Sequence, residues 1–332
     1  MVNVLFTSAG RRVELVRAFR RAEQELGLQG NIVAVDANPL APVLQEADRR
    51  YVVPRVTDPA YLPALAEICR KEEVGLVFPT IDPDILVLAA HREEFEATGA
   101  RVMVVGTEAA ETTADKWLTY ELFRRLEIPV PDTWLGEEAR TADIGLPAFI
   151  KPRIGSASQD AFRVRDRREL DFFLDYVPSP IVQELLPGPE ITNDVICDLS
   201  GEVLAVVSRE RIEVRSGEVQ KGKTIHSPAL SRHCEAIAQA LGAVGPITVQ
   251  CMMKNGTPYF TEVNCRYGGG APLGFAAGAD SPRWYLSLAA GKTPEVPSPS
   301  YAEGVYMTRY DDGLYLTEEQ LAETSRNHLR PG

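Results

Sequence analysis

Four polar residues in the last third of the chain are spaced for phosphate chemistry. Glu262 and Asn264 stand two apart in the run 258–264, which reads as a strand, so both side chains point to one face. The turn Lys254-Asn255-Gly256 makes 247–253 its hairpin partner, because Asn-Gly supplies the positive φ that a two-residue turn needs. Gln250 on that partner can share the face. One carboxylate and two amide oxygens are hard ligands suited to Mg²⁺, whose remaining positions fall to phosphates and water. Arg266 continues the alternation and can stabilise transferring phosphoryl oxygens, just ahead of Gly268-Gly269-Gly270. A solvated strand face seldom alternates Glu, Asn and Arg before three glycines, so the metal–phosphate reading is preferred.

Two further stretches are weaker alone. Lys151 ends the strand 147–152 and leads into Gly155-Ser156-Ala157-Ser158, where small residues let backbone N–H groups approach phosphate oxygens. By itself such a stretch is more often just a turn. Gln183-Glu184-Leu185-Leu186-Pro187-Gly188-Pro189-Glu190 is an apolar strand closed by a proline-glycine turn. It can present backbone groups to an adenine edge, with Glu190 toward ribose hydroxyls, or it is simply a strand, a turn and a solvated acid. Residues 209–221 alternate charges, and strand geometry would put Arg209, Arg211, Glu213 and Arg215 on one face to clamp a carboxylate. The competing reading is a solvated surface strand. Asp194 is a candidate for an incoming amine. No Ser–His–Asp or Cys–His signature accompanies these residues, and Cys197 and Cys251 sit in apolar strands as core residues.

The elements that must carry these groups fall into two patterns. Through residue 105, strands (2–7, 31–36, 50–54, 74–80, 101–105) alternate with helical stretches (12–26, 59–71 and one after Asp82-Pro83-Asp84), the signature of a parallel sheet with right-handed crossovers. Ligands of such sheets sit at strand carboxyl ends, which here carry Ser8, Gly10, Arg11, Asp36, Asn38, Thr80 and Asp82. Asp36 and Asp82 read equally as helix caps. Thr7-Ser8-Ala9-Gly10 has one glycine where a dinucleotide turn needs three, so the unit is Rossmann-like without a nicotinamide cofactor. From Asp115 the pattern becomes α+β: helices at 116–126 and 168–176, a strand at 181–186, then antiparallel runs at 191–199, 201–209 and the 247–264 hairpin.

The chain has 332 residues, too many for a single core, with Lys+Arg 35 against Asp+Glu 47 and a net charge of −12. That balance argues against nucleic acid and against anionic membrane as partners. No apolar run approaches the ~18–20 residues of a membrane span. In MVNVLFTSAGRR the arginine pair follows the apolar run, the reverse of a secretory signal. Five cysteines without CxxC spacing suit a reducing compartment. The expectation is a cytoplasmic protein.

Taken together these residues resemble the ATP-grasp superfamily, and within it the carbamoyl phosphate synthase large-subunit-like branch, with one ATP-grasp unit. The resemblance implies a Rossmann-like pre-ATP-grasp domain (1–112), carrying Thr7-Ser8-Ala9-Gly10-Arg11-Arg12 and Pro79-Thr80-Ile81-Asp82. A two-lobed ATP-grasp domain (113–295) follows, with a lid near 115–185 and a metal/phosphate lobe near 186–295, then a C-terminal appendage (296–332). It implies Lys116 and Lys151 as nucleotide-phosphate lysines and Gly155, Ser156 and Ser158 as the phosphate loop. Gln183 and Glu184 to Leu186 match the adenine hinge, Glu190 the ribose acid, Gln250, Glu262 and Asn264 the magnesium ligands, and Arg266 the phosphate arginine. Arg215 and Lys221 also match positions of the pattern. Cys265 stands where the common Glu-Ile-Asn-Pro-Arg stretch has proline. The implied activity is a Mg²⁺-dependent, carboxylate–amine ligase that forms an acyl phosphate from ATP, with two Mg²⁺ ions replaceable by Mn²⁺, small acid and amine substrates, and a homodimer. A small-molecule kinase or a non-catalytic ATP-binding regulator would share much of this pattern.

Overall fold

A computed structural model describes residues 2–155 and 159–326. Its first unit is a parallel sheet of β1 (Asn3–Thr7), β2 (Ile32–Asp36), β3 (Arg49–Val52), β4 (Val74–Pro79) and β5 (Arg101–Val102), in the order β3-β2-β1-β4-β5. The helices α1 (Val13–Glu25), α2 (Tyr61–Lys71), α3 (Asp82–Ala90), α4 (Arg92–Glu96) and α5 (Thr107–Ala114) surround it. Strand pairing in β5 stops at Val102, yet Met103, Val104 and Val105 remain fully buried. The apolar run at 101–105 therefore reports burial more than strand.

Next comes α6 (Lys116–Arg125) and an antiparallel lid sheet in the order β6-β9-β7-β8. Its strands are β6 (Thr133–Leu135), β7 (Ala148–Pro152), β8 (Phe162–Val164) and β9 (Pro180–Glu184), with helices α7 (Gly136–Ala139) and α8 (Arg167–Tyr176). A larger antiparallel sheet follows, in the order β14-β13-β10-β11-β12-β15. Its members are β10 (Glu190–Cys197), β11 (Val203–Arg215), β12 (Glu218–Ile225), β13 (Gly245–Lys254), β14 (Thr257–Asn264) and β15 (Tyr306–Thr308). Helices α9 (Pro228–Ala240), α10 (Ala271–Ala276), α11 (Ser281–Ala289) and α12 (Glu318–Arg326) complete the fold. The mixed α/β class expected for the chain is what the structure has. Among the described residues, no helix is long and apolar enough to cross a membrane.

Burial shows what holds the site steady. One face of the parallel sheet (Leu5, Val33, Val77) belongs to the same apolar cluster as Val195, Ile247 and Phe260 of the large antiparallel sheet. The opposite face (Val4, Phe6, Phe78) packs with Tyr267, Phe275 and Tyr285. Both sheets therefore share both cores. The lid instead has its own small cluster, including Ile150, Val164, Leu170, Leu174 and Val182, so displacing it would leave the main cores covered.

Two sequence expectations are corrected here. The strand expected at 201–209 runs on to Arg215 and folds back on β12 through Ser216 (φ 50°) and Gly217 (φ 77°). Ser-Gly is a recognised turn dipeptide, and the charge alternation around it hid the hairpin. The strand expected at 181–186 ends at Glu184, which leaves Leu185 and Leu186 outside the ladder.

Candidate functional site

A cleft of about 540 Å³ opens between the lid and the large antiparallel sheet, with Arg12, Thr80, Ile81 and Asp82 of the first unit at one end. At its other end the site begins with a helix cap. Asp115 accepts from the backbone N–H of Trp117 at 2.8 Å and Leu118 at 3.4 Å, satisfying orphan donors of α6. The same carboxylate takes the guanidinium of Arg153, just past β7, and the N–H of Lys116 donates to the Arg153 carbonyl at 2.9 Å. Helix and strand are thereby tied together, and Lys116 Nζ reaches the Gly155 carbonyl at 2.6 Å. Lys151 extends from β7 into the same region. Burial lowers its ammonium pKa to about 8, against the pull of Glu262 and Glu190 upward. Ser156 and Ser158 lie outside the described residues.

Gln183 is buried and donates from Nε2 to Thr133 Oγ1 at 3.0 Å. Glu184 pairs with Lys254, and Leu185 and Leu186 line the cleft beyond the last rung of β9. Strand ends of this kind leave backbone donors and acceptors uncommitted to a ladder, which suits the edge of a flat heterocycle.

The β13–β14 hairpin turns as expected, through Asn255 (φ 52°) and Gly256 (φ 81°). Gln250 and Glu262 are register partners. Asn264 Nδ2 lies 3.2 Å from both Gln250 Oε1 and Glu262 Oε1, so the three side chains converge on one point. Which end of each amide faces that point follows from the hydrogen-bond network. Gln250 Nε2 also donates to Glu190 Oε1 at 2.6 Å, and Glu190 in turn holds Arg211. As placed, Asn264 turns Nδ2 toward the Gln250 and Glu262 oxygens; with that amide turned over, one carboxylate and two amide oxygens would suit a hard divalent cation that takes its other ligands from phosphate and water.

Arg266 lines the same cleft, but its guanidinium is already held. Nε and Nη2 donate to the two oxygens of Asp82, each at 2.8 Å. Burial opposes the charge, and Asp82 more than offsets this, leaving the guanidinium above its ordinary range. Asp82, at the start of α3, thus joins the first unit to the loop after β14. It was visible in the sequence as a strand-end acid, and its partner was not.

Of the cationic face expected over 209–215, Arg209 and Arg211 line the cleft and Arg215 does not. Arg209 is buried and fully engaged with Asp194, at 2.6 Å from Nε and 2.8 Å from Nη2, so Asp194 is committed to a side chain and not available for an amine. Two compensating irregularities flank Glu213, and the ladder returns to register at Val214 and Arg215. Arg215 is 71% exposed and sits 3.4 Å from Asp311, while Lys221 is 54% exposed and 2.6 Å from Glu213. Neither lines the cleft. The cleft is lined here by Arg209 and Arg211, by Glu218, 2.9 Å from Arg12, by Arg266 with Asp82, and by Gly268–Gly270. A Cβ at Gly269 would come within 1.9 Å of Glu218 Oε2, and one at Gly270 within 2.1 Å of Arg209 Nη1. A side chain at either glycine would displace the Glu218 carboxylate or the Arg209 guanidinium from its present place. The cysteines take no part: all five are buried, and burial pushes the thiols of Cys197, Cys251 and Cys265 up to about 12.

Comparison with known proteins accords with this geometry. Residues 4–104 match the PylC-like, N-terminal domain family, and residues 113–270 match the ATP-grasp domain family. The chain is 28% identical over 277 residues to the formate-dependent phosphoribosylglycinamide formyltransferase of Anaeromyxobacter dehalogenans (strain 2CP-C), covering 76% of this chain and 68% of that protein. It is 26% identical over 269 residues to the carbamoyl phosphate synthase large chain of Deinococcus radiodurans, covering 74% of this chain and only 25% of that protein. Among solved structures, the biotin carboxylase domain dimer of Hydrogenobacter thermophilus 2-oxoglutarate carboxylase, in complex with MgADP, ADP and bicarbonate, superposes with a TM-score of 0.71 at 19% identity. The match covers 91% of this chain and 73% of that one, and at this identity it speaks for the fold.

Proposed function

From a chain that carries a PylC-like N-terminal domain followed by an ATP-grasp domain, we propose an ATP-dependent ligase that activates a small carboxylic acid and passes it to an amine. The observation that carries this reading is the convergence of Lys151, Gln250, Glu262, Asn264 and Arg266 on one cleft. In the first step a carboxylate oxygen of the acid attacks the γ-phosphorus of ATP, and the bond to the bridging oxygen breaks to release ADP. In the second step the amine attacks the acyl carbon, the C–O bond to phosphate breaks, and the amine loses a proton.

The substrate supplies the first nucleophile, which accounts for a site built of cations and oxygen ligands. Lys116 and Lys151 offset phosphate charge from the lid side, and Arg266, oriented by Asp82, faces the transferring group. Leu185 and Leu186 offer apolar surface and free backbone groups to the base, and Glu190 stands near for the ribose. Gln250, Glu262 and Asn264 would hold Mg²⁺, as one or two ions with Mn²⁺ as a substitute. When bound it would neutralise charge on the β- and γ-phosphates. The related biotin carboxylase domain was solved with MgADP, which supports the nucleotide and metal named here. A homodimer and a cytoplasmic location go with the same reading.

The test is ATP hydrolysis measured against pools of small carboxylic acids and amines, with mass detection of the condensed product. Calorimetry with ADP and with a non-hydrolysable ATP analogue, with and without Mg²⁺, accompanies it. Failure to bind nucleotide under any of these conditions would overturn the proposal.

A further inference from the structure

The chain beyond residue 270 lies outside the matched ATP-grasp family, yet part of it reaches back into the cleft wall. Strand β15 pairs with β12 at Lys221↔Thr308, Gly222↔Met307 and Lys223↔Tyr306, and the N–H of Arg309 donates to the Gln220 carbonyl at 2.9 Å. Upstream, Thr224 Oγ1 donates to the Ala302 carbonyl at 2.8 Å and accepts from the Val305 N–H at 3.0 Å. Downstream, α12 packs against β3, and Gln45, four residues before that strand, places Nε2 3.4 Å from Thr324 Oγ1. The segment is thus stitched to the antiparallel sheet on one side and to the parallel sheet on the other.

From this strap the Arg309 side chain turns inward. Nη2 donates to the Gly269 carbonyl at 2.5 Å and to Glu14 Oε2 at 2.6 Å, and Nη1 donates to the Val219 carbonyl at 3.1 Å. Nη1 also lies 3.9 Å from Glu218 Oε2. Nε finds no acceptor among the described residues, so the fork is oriented by what its two terminal nitrogens hold. Those contacts belong to the glycine loop after β14, the first residues of β12, and the start of α1. A run of glycines has no side chains with which to hold itself in place, and Gly269 sits directly under the Glu218–Arg12 pair. Against burial, Arg12, Arg309 and Arg266 together hold the Glu218 carboxyl below its ordinary range.

We propose that the strap carrying β15 clamps the acid-receiving end of the cleft, with Arg309 the positioning residue that fixes the 268–270 loop and Glu218. The assignment of that end to the acid rests on the ligase reading above. A planar fork spread over three acceptors cannot be reproduced by an ammonium, which is a point charge on a flexible stem. The clamp acts on the acid end and leaves the nucleotide end, built from Lys116, Lys151 and β9, untouched.

The experiment compares the full chain with Arg309→Ala and Arg309→Lys. Amide hydrogen exchange is followed by mass spectrometry, MgADP binding by calorimetry, and ATP turnover with a pool of small carboxylic acids. Exchange over 216–219 and 268–270 should rise roughly tenfold in Arg309→Ala while 258–264 is unchanged. MgADP affinity should stay within about twofold, the half-saturating acid concentration should rise about fivefold or more, and Arg309→Lys should restore only part of each change. Unaltered exchange in both variants overturns the clamp, as does an MgADP affinity that falls as far as the acid affinity. Should the wild type turn over no acid in the pool, the ligase reading fails while the exchange measurement still judges the clamp. Arg309→Lys retains the charge and guards against a loss that is only unfolding.

Discussion

Two hairpins of the large sheet begin from similar sequences and end in different roles. Both alternate polar residues along a strand, and both turn on two residues with positive φ, Asn255-Gly256 in one and Ser216-Gly217 in the other. In β13–β14 the register near the cleft pairs Gln250 with Glu262, and the alternation delivers three oxygen-bearing side chains to one point. In β11–β12 two compensating irregularities flank Glu213, after which the original pairing resumes at Val214↔Val219. Its root, Arg209, is buried against Asp194, whereas its tip pairs charges in solvent. The β13–β14 ladder itself shifts register just past Gln250, so a regular ladder is not what separates the two hairpins: alternation gives a shared face, and the surrounding packing decides whether that face meets the cleft or solvent.

The comparison can be broken first at the root of β11–β12. Arg209→Met should cost about 3–5 kcal/mol, because it leaves Asp194 buried without a counter-charge, whereas Arg209→Met with Asp194→Leu should cost far less. Urea unfolding of the single and double variants is the check, and equal losses would show that the pair is not coupled.

Next in size is the face of β13–β14. Glu262→Gln keeps the shape and removes the one carboxylate of the set, so turnover should fall by ~10²–10³, about 2.7–4 kcal/mol, with a much smaller change in nucleotide affinity. Undiminished turnover would remove Glu262 from the metal site and, with it, the functional half of the contrast between the hairpins.

A pH series sharpens the picture from the lid side. With its pKa near 8, Lys151 should lose charge above that pH, and MgADP affinity should drop about tenfold between pH ~7 and ~9. Lys151→Arg should flatten the profile, since a guanidinium stays charged. The stability sign follows from proton counts. Between about 8 and the unfolded value near 10.4 the unfolded chain binds more protons, so the cost of burying the ammonium, full below pH ~8, is relieved as pH rises through that window.

The smallest effects belong to the tip of β11–β12. Arg215→Ala and Lys221→Ala should each change stability by no more than about 0.5 kcal/mol. The KM for any accepted acid should stay within about twofold of wild type. A larger rise in KM would mean that Arg215 or Lys221 joins Val214, Ser216 and Gly217 of the same hairpin, which already line the cleft, in contacting the acid.

Much of this arrangement was legible in residue order. The strand–helix alternation to residue 105, the Asn255-Gly256 turn and the i, i+2 placement of Glu262 and Asn264 are local patterns, set by neighbouring residues and not by distant pairing. Leu185 and Leu186 were legible as cleft residues although their strand ends sooner than their apolar character suggests. Arg215 and Lys221 were misplaced because nothing in the alternation marks which side chains of a hairpin face solvent. Arg309 carried no signal: a lone arginine after a short strand acquires meaning only from the three segments it meets.

What the sequence determined by itself was therefore the inventory and its short-range geometry: which strands form, where they turn, and which side chains leave one face together, all set by backbone sterics and side-chain period. What only the tertiary structure decided was pairing across distance. Asp82 meets Arg266 over 184 positions, Arg12 meets Glu218 over 206, and Arg309 meets Glu14 over 295. Such contacts depend on how two sheets share two apolar cores, and burial is a property of the whole packed chain that no short window contains.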